Sequence, residues 1–182
     1  MVNFKIQILN QHWISTDDNG NDLCSHGEFE LIIGGEIILC KHDKIDWTIS
    51  TSTLNLLKCI ESNYIAEQNF ELILHCGQLQ MLSCPIGVYI NIIHRNEKVK
   101  IENIKKQFGV SDNEFIDYPN LKVEIPKNHF AMQILKIAEQ VKLFFENQPK
   151  RVLNDKEDEL LWKNFWLEFN TLYDDGVKKY YF

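Results

Sequence analysis

The stretch Phe29-Glu30-Leu31-Ile32-Ile33-Gly34-Gly35-Glu36-Ile37-Ile38-Leu39-Cys40 decides the fold class. Two apolar runs flank a Gly-Gly pair. Both glycines can take the positive φ that a tight primed turn demands, so the segment reads as a β-hairpin. Before it, Phe4, Ile6 and Ile8 alternate with Lys5 and Gln7, the period-two signature of a half-buried strand. Between the two lies a polar stretch from Ser15 to Gly27, whose Asp17-Asp18-Asn19-Gly20 marks a long turn or exposed loop.

Beyond the hairpin, Ser50-Thr51-Ser52-Thr53 offers several N-caps ahead of Leu54, Leu56, Leu57 and Ile60, which predicts a short helix from Thr53 to Ser62. Phe70 to His75 and Leu79 to Ser83 read as strands. Val88 to His94 and Val99 to Ile101 make a second hairpin through Asn96-Glu97-Lys98, and Leu121 to Ile125 makes a last strand. Two helices follow. Pro126 and Asn128 open the first, in which Phe130, Ile134, Ile137, Ala138, Val141, Phe144 and Phe145 recur at helical spacing. After Pro149, Asn154 or Asp155 caps the second, whose Leu161, Trp162, Phe165, Trp166, Phe169 and Tyr173 form one aromatic face. That face reads as core-facing, with a partner surface as the alternative. The expectation is a single α+β domain over 1–182. An antiparallel, meander-like sheet comes from the N-terminal two-thirds with a short helix, and the two C-terminal helices pack on one face. No period of about 20 to 50 residues recurs, which sets a solenoid aside.

Composition narrows the function classes. The net charge is −7, and of 19 basic residues only Arg95 and Arg151 are arginine. Bidentate recognition of phosphates and guanines relies on arginine, so both sign and residue type argue against a nucleic-acid partner. Met1 to Asn10 alternates polar and apolar residues where a targeting signal would place a basic end and an apolar run, and no apolar stretch approaches the ~18 residues needed to span a bilayer. A cytoplasmic protein with no membrane partner is expected.

Five cysteines, Cys24, Cys40, Cys59, Cys76 and Cys84, lie in or beside apolar runs and read as buried reduced thiols. A zinc site drawn from Cys24, His26, His75, Cys76 and Cys84 lacks the paired ligand spacing of the common frameworks. His75 and Cys76 are adjacent in a strand and so point to opposite faces, which argues against a cysteine nucleophile there. Gly34-Gly35 has neither pattern of a phosphate-binding loop. No catalytic residue, cofactor or metal is expected.

At Phe29 to Gly35, at Asp46-Trp47-Thr48-Ile49-Ser50-Thr51-Ser52 and at Cys84-Pro85-Ile86-Gly87 with His94, the chain resembles a family of small bacterial cytosolic proteins. That family is associated with the immunity proteins of polymorphic or contact-dependent toxin systems. The resemblance brings no catalytic residue and implies stoichiometric binding of a cognate toxin domain. Small size and acidic charge agree with that, since an acidic surface attracts a basic nuclease. The candidate partner-binding residues are the acidic clusters Asp17, Asp18, Asp155, Glu157, Asp158 and Glu159. The alternative is a small-ligand-binding or enzymatic domain with a pocket near Cys84 and His94. Oligomeric state is left open.

Overall fold

A computed structural model of the chain describes residues 3–14, 20–66, 70–76, 79, 85–111 and 113–181. It contains the Gly-Gly hairpin. β2 (His26–Ile33) and β3 (Glu36–Leu39) pair antiparallel, and Gly34 and Gly35 take φ of 61° and 90°. β1 (Phe4–His12) pairs with the opposite edge of β2, and its alternation buries Phe4 and Ile6. A bulge between Ile8 and Asn10 brings the Asn10 carbonyl close to Gly27, where a Cβ would sit 2.2 Å from that oxygen. With φ at 154°, only glycine serves there. A single 3₁₀ turn (Lys41–Asp43) then leads to β4 (Trp47–Thr48), which pairs with the start of β2 while β3 pairs with its end.

The next helix, α1 (Ile49–Lys58), begins one turn before the expected Thr53. The hydroxyls read as caps are instead buried inside its first turns, and those of Ser50, Thr51 and Ser52 reach neighbouring strands and loops, while Thr53 Oγ1 has no partner among the described residues. Ser50 Oγ accepts from Ser25 N at 3.1 Å and Ser52 Oγ from Leu74 N at 2.9 Å, while Thr51 Oγ1 contacts Cys24 Sγ at 3.6 Å. The Ser25 carbonyl takes the Ile49 amide at 2.8 Å, so backbone does the capping that a side chain was expected to do.

The remaining strands form a second sheet where one was pictured. β5 (Ile73–Leu74), β6 (Gly87–Arg95), β7 (Lys98–Gln107) and β8 (Phe115–Tyr118) are hydrogen-bonded in that order, and β9 (Val123–Pro126) also pairs with β7. The expected second hairpin is β6 and β7. β5 is only the tip of the strand expected over Phe70 to His75. Of the strand expected over Leu79 to Ser83, Leu79 is a turn residue with φ 54°, and 80–83 lie outside the described residues.

The two sheets share a plan. Each has two long antiparallel strands, followed by two short strands that share one edge of the second, and then a helix with no intervening loop: α1 after β4, α2 (Lys127–Glu146) after β9. This is a topological repeat without a sequence repeat. The units interlock: α2 packs on β1 of the first sheet as well as on β9, α1 touches β5 of the second, and β4 lies beside β5.

α3 (Lys156–Tyr180) closes the fold, and its chief neighbours are α2 and α1, so it rests on helices more than on a sheet. One contiguous apolar cluster joins both sheets and all three helices. Phe165 and Phe169 are wholly buried in it, and Trp162, Trp166 and Tyr173 pack against it, so the aromatic face of α3 is core. The class is α+β. Among the described residues no helix is long and apolar enough to cross a membrane.

Candidate partner-binding surface

The first turn of α3 is built by its own carboxylates. Asp155 is the N-cap, accepting from the amides of Glu157 at 2.8 Å and Asp158 at 2.9 Å. Asp158 accepts from the Asn154 amide at 3.1 Å, one residue before the N-cap, and so holds the entering chain. Two of the candidate partner-binding residues are therefore occupied in starting the helix. Glu157 and Glu159 are exposed and make no ion pair among the described residues, so their charges face solvent.

Asp17 and Asp18 lie outside the described residues, yet the ends of their segment are well defined. At one end, Trp13 packs on Phe144 and Phe145 of α2 with centroids 4.9 and 5.1 Å apart, and the Arg151 guanidinium lies 3.8 Å over the indole. At the other, the Gly20 carbonyl accepts from Val152 N at 2.7 Å. Asp22 ties the two ends together, accepting from Ile14 N at 3.0 Å and Cys24 N at 3.1 Å with His26 Nε2 at 3.5 Å. Burial pushes its carboxyl up, but the bonds from His26, Ile14 and Cys24 outweigh that and hold it below its ordinary value.

Gly20 is thus anchored to the α2–α3 link, three residues before Asp155. The link and the first turn of α3 make one region of surface. Val152 is 44% exposed and Leu160 59%, giving that region apolar contact area beside Glu157 and Glu159. Lys150 and Lys156 are exposed there too and dilute the acidic charge. Trp13 and Arg151 anchor this surface, and sequence reading did not single them out. The one local signal was a tryptophan directly after a strand.

Two of the thiols are buried and hydrogen-bonded. Cys24 is buried and accepts from Leu79 N at 2.9 Å, and burial pushes its thiol up. The Cys59 thiol is pushed up to about 12 by burial and donates to Asn55 O. Such thiols are poor nucleophiles. Among the described residues no group of three His, Cys, Asp or Glu could hold a metal ion. In the pocket expected near Cys84 and His94, Cys84 lies outside the described residues. His94 Nε2 donates to the Cys59 carbonyl at 2.9 Å, and its Nδ1 is buried without a partner.

No protein-family model, curated protein or solved structure matches this chain.

Proposed function

We propose that this chain is a non-catalytic protein-binding protein, an immunity protein that neutralises a cognate bacterial toxin domain by stoichiometric binding. The observation that carries the reading is the surface at the start of α3, where exposed Val152 and Leu160 lie beside the exposed carboxylates of Glu157 and Glu159 and the Gly20–Val152 hydrogen bond ties the link to the N-terminal part of the chain. Acidic residues around apolar contacts suit a basic partner. Charge steers the encounter, and the apolar centre slows dissociation. Inhibition then needs no chemistry, only coverage of the toxin's substrate-binding face.

The test is co-expression with the product of the neighbouring gene. Growth rescue and co-purification at equal stoichiometry are expected. Glu157→Lys combined with Glu159→Lys, which leaves the capping pair intact, should weaken the complex at least tenfold, chiefly through slower association at low salt. Neither rescue nor co-purification would sink the proposal, and an unchanged affinity in the double variant would move the interface elsewhere.

A further inference from the structure

The outer face of the second sheet carries a hollow of about 420 Å³ lined by a cation, a carboxylate, an amide and an aromatic ring. Tyr89 on β6, Lys105 on β7 and Asp117 on β8 are direct cross-strand neighbours and therefore share a face. Asn91 joins them two residues along β6. Opposite, the pairing skips from Lys105 to Glu102. The resulting bulge puts Asn103 at φ 51° on the rim, a device that re-aims side chains beside sites.

Asn91 is only 6% exposed, and its Oδ1 is held by the Ala66 amide at 2.8 Å, which fixes the orientation of the side chain. Its amide nitrogen donates to no described residue and is available to the hollow. Lys105 and Asp117, though neighbours in register, form no ion pair. The ammonium instead sits 4.2 Å from the Phe115 ring centroid and 6.0 Å from that of Tyr89. Asp117 makes no hydrogen bond or ion pair among the described residues. A cation and an amide donor, a free carboxylate and an aromatic face thus line one small cavity, of a size at the lower end for ligand sites.

We propose that this hollow binds a free α-amino acid, with the ligand's carboxylate on Lys105 and the Asn91 amide, its ammonium on Asp117 and its side chain against Tyr89. A ligand bearing both charges meets Lys105, the Asn91 amide and Asp117 at once, and each of those three contacts is charge-assisted. The site is separate from the acidic surface of α3.

The test uses the full chain, titrated with each common L-α-amino acid singly at millimolar concentration and followed by amide chemical shifts and calorimetry. At least one should bind saturably, with shifts centred on Tyr89, Asn91 and Lys105. Its deaminated acid and its decarboxylated amine should each bind at least tenfold more weakly. Lys105→Met and Asp117→Asn are partly or fully exposed changes expected to keep the fold, checked by circular dichroism, and each should weaken binding at least tenfold. The proposal is overturned if no amino acid gives saturable shifts there, if the one-charge analogues bind equally well, or if both folded variants bind like the parent. Any of these would leave the toxin-binding reading untouched, because that reading is tested by rescue.

Discussion

Asp155 has two possible roles, partner contact and helix cap, and the structure shows the second. Asp155→Ala should therefore cost about 1 kcal/mol of stability whether or not a partner is present, read as a lower urea midpoint of the free chain. Its cap was legible in sequence because capping is a contact between residues two and three apart. Ser50 and Ser52 were misread for the opposite reason: their partners, Ser25 and Leu74, are remote in the chain. Glu71 gave no sequence signal at all. It is 5% exposed, pressed so close to β6 that a Cβ at Gly87 would lie 2.5 Å from its own, and no cation pairs with it among the described residues. Burial raises its pKa above the ordinary 4.5. Folding thus favours the protonated form, so ionised Glu71 costs stability at neutral pH, and the cost fades as pH falls through the raised pKa and is gone below 4.5. Glu71→Gln should stabilise the chain at neutral pH and make no difference well below that value, as denaturant titrations at the two pH values would show.

At the scale of elements, the strongest constraint is the contact between β1 and β2. Gly27→Ala would drive a Cβ into the Asn10 carbonyl of the partner strand and force a φ that alanine rarely adopts. A loss of about 3 kcal/mol or more is expected, and thermal unfolding measures it. The Gly34-Gly35 turn was evident because a type of turn dictates its own residues. β4 and β8 were not. β4 has two residues, and β8 reads Phe115-Ile116-Asp117-Tyr118, too short for a period to emerge. Each exists because a long neighbour, β2 or β7, offers an edge to pair with. The hollow beside β8 was hidden with it, since Tyr89, Lys105 and Asp117 become neighbours only through strand register.

At the scale of the molecule, Glu61 joins all three helices. It lies just past α1 and meets Lys127 Nζ at the start of α2 at 2.7 Å, and Lys179 Nζ at 2.9 Å and Tyr180 OH at 2.6 Å at the end of α3. Burial alone would raise its carboxyl, but the bonds from Lys127, Tyr180 and Lys179 outweigh it and hold the group at about 2. A pKa lowered by folding gives stability that is complete above 4.5 and is lost as pH falls toward about 2. Glu61→Gln should flatten that part of the acid-unfolding profile. At neutral pH it should cost less than about 1 kcal/mol, because a side chain 47% exposed is screened by solvent. By itself the sequence determined the α+β class, both hairpins, the capped start of α3 and the inward turn of its aromatic face. All of these follow from residues within a few positions of one another, through φ preference, periodicity and local hydrogen bonds. Only the tertiary structure decided the split into two sheets of common plan, the true start of α1, the tie between Gly20 and the α2–α3 link and the polar hollow beside β8. Those depend on which remote strands and helices become neighbours, and that choice is made by how the whole apolar surface is buried at once.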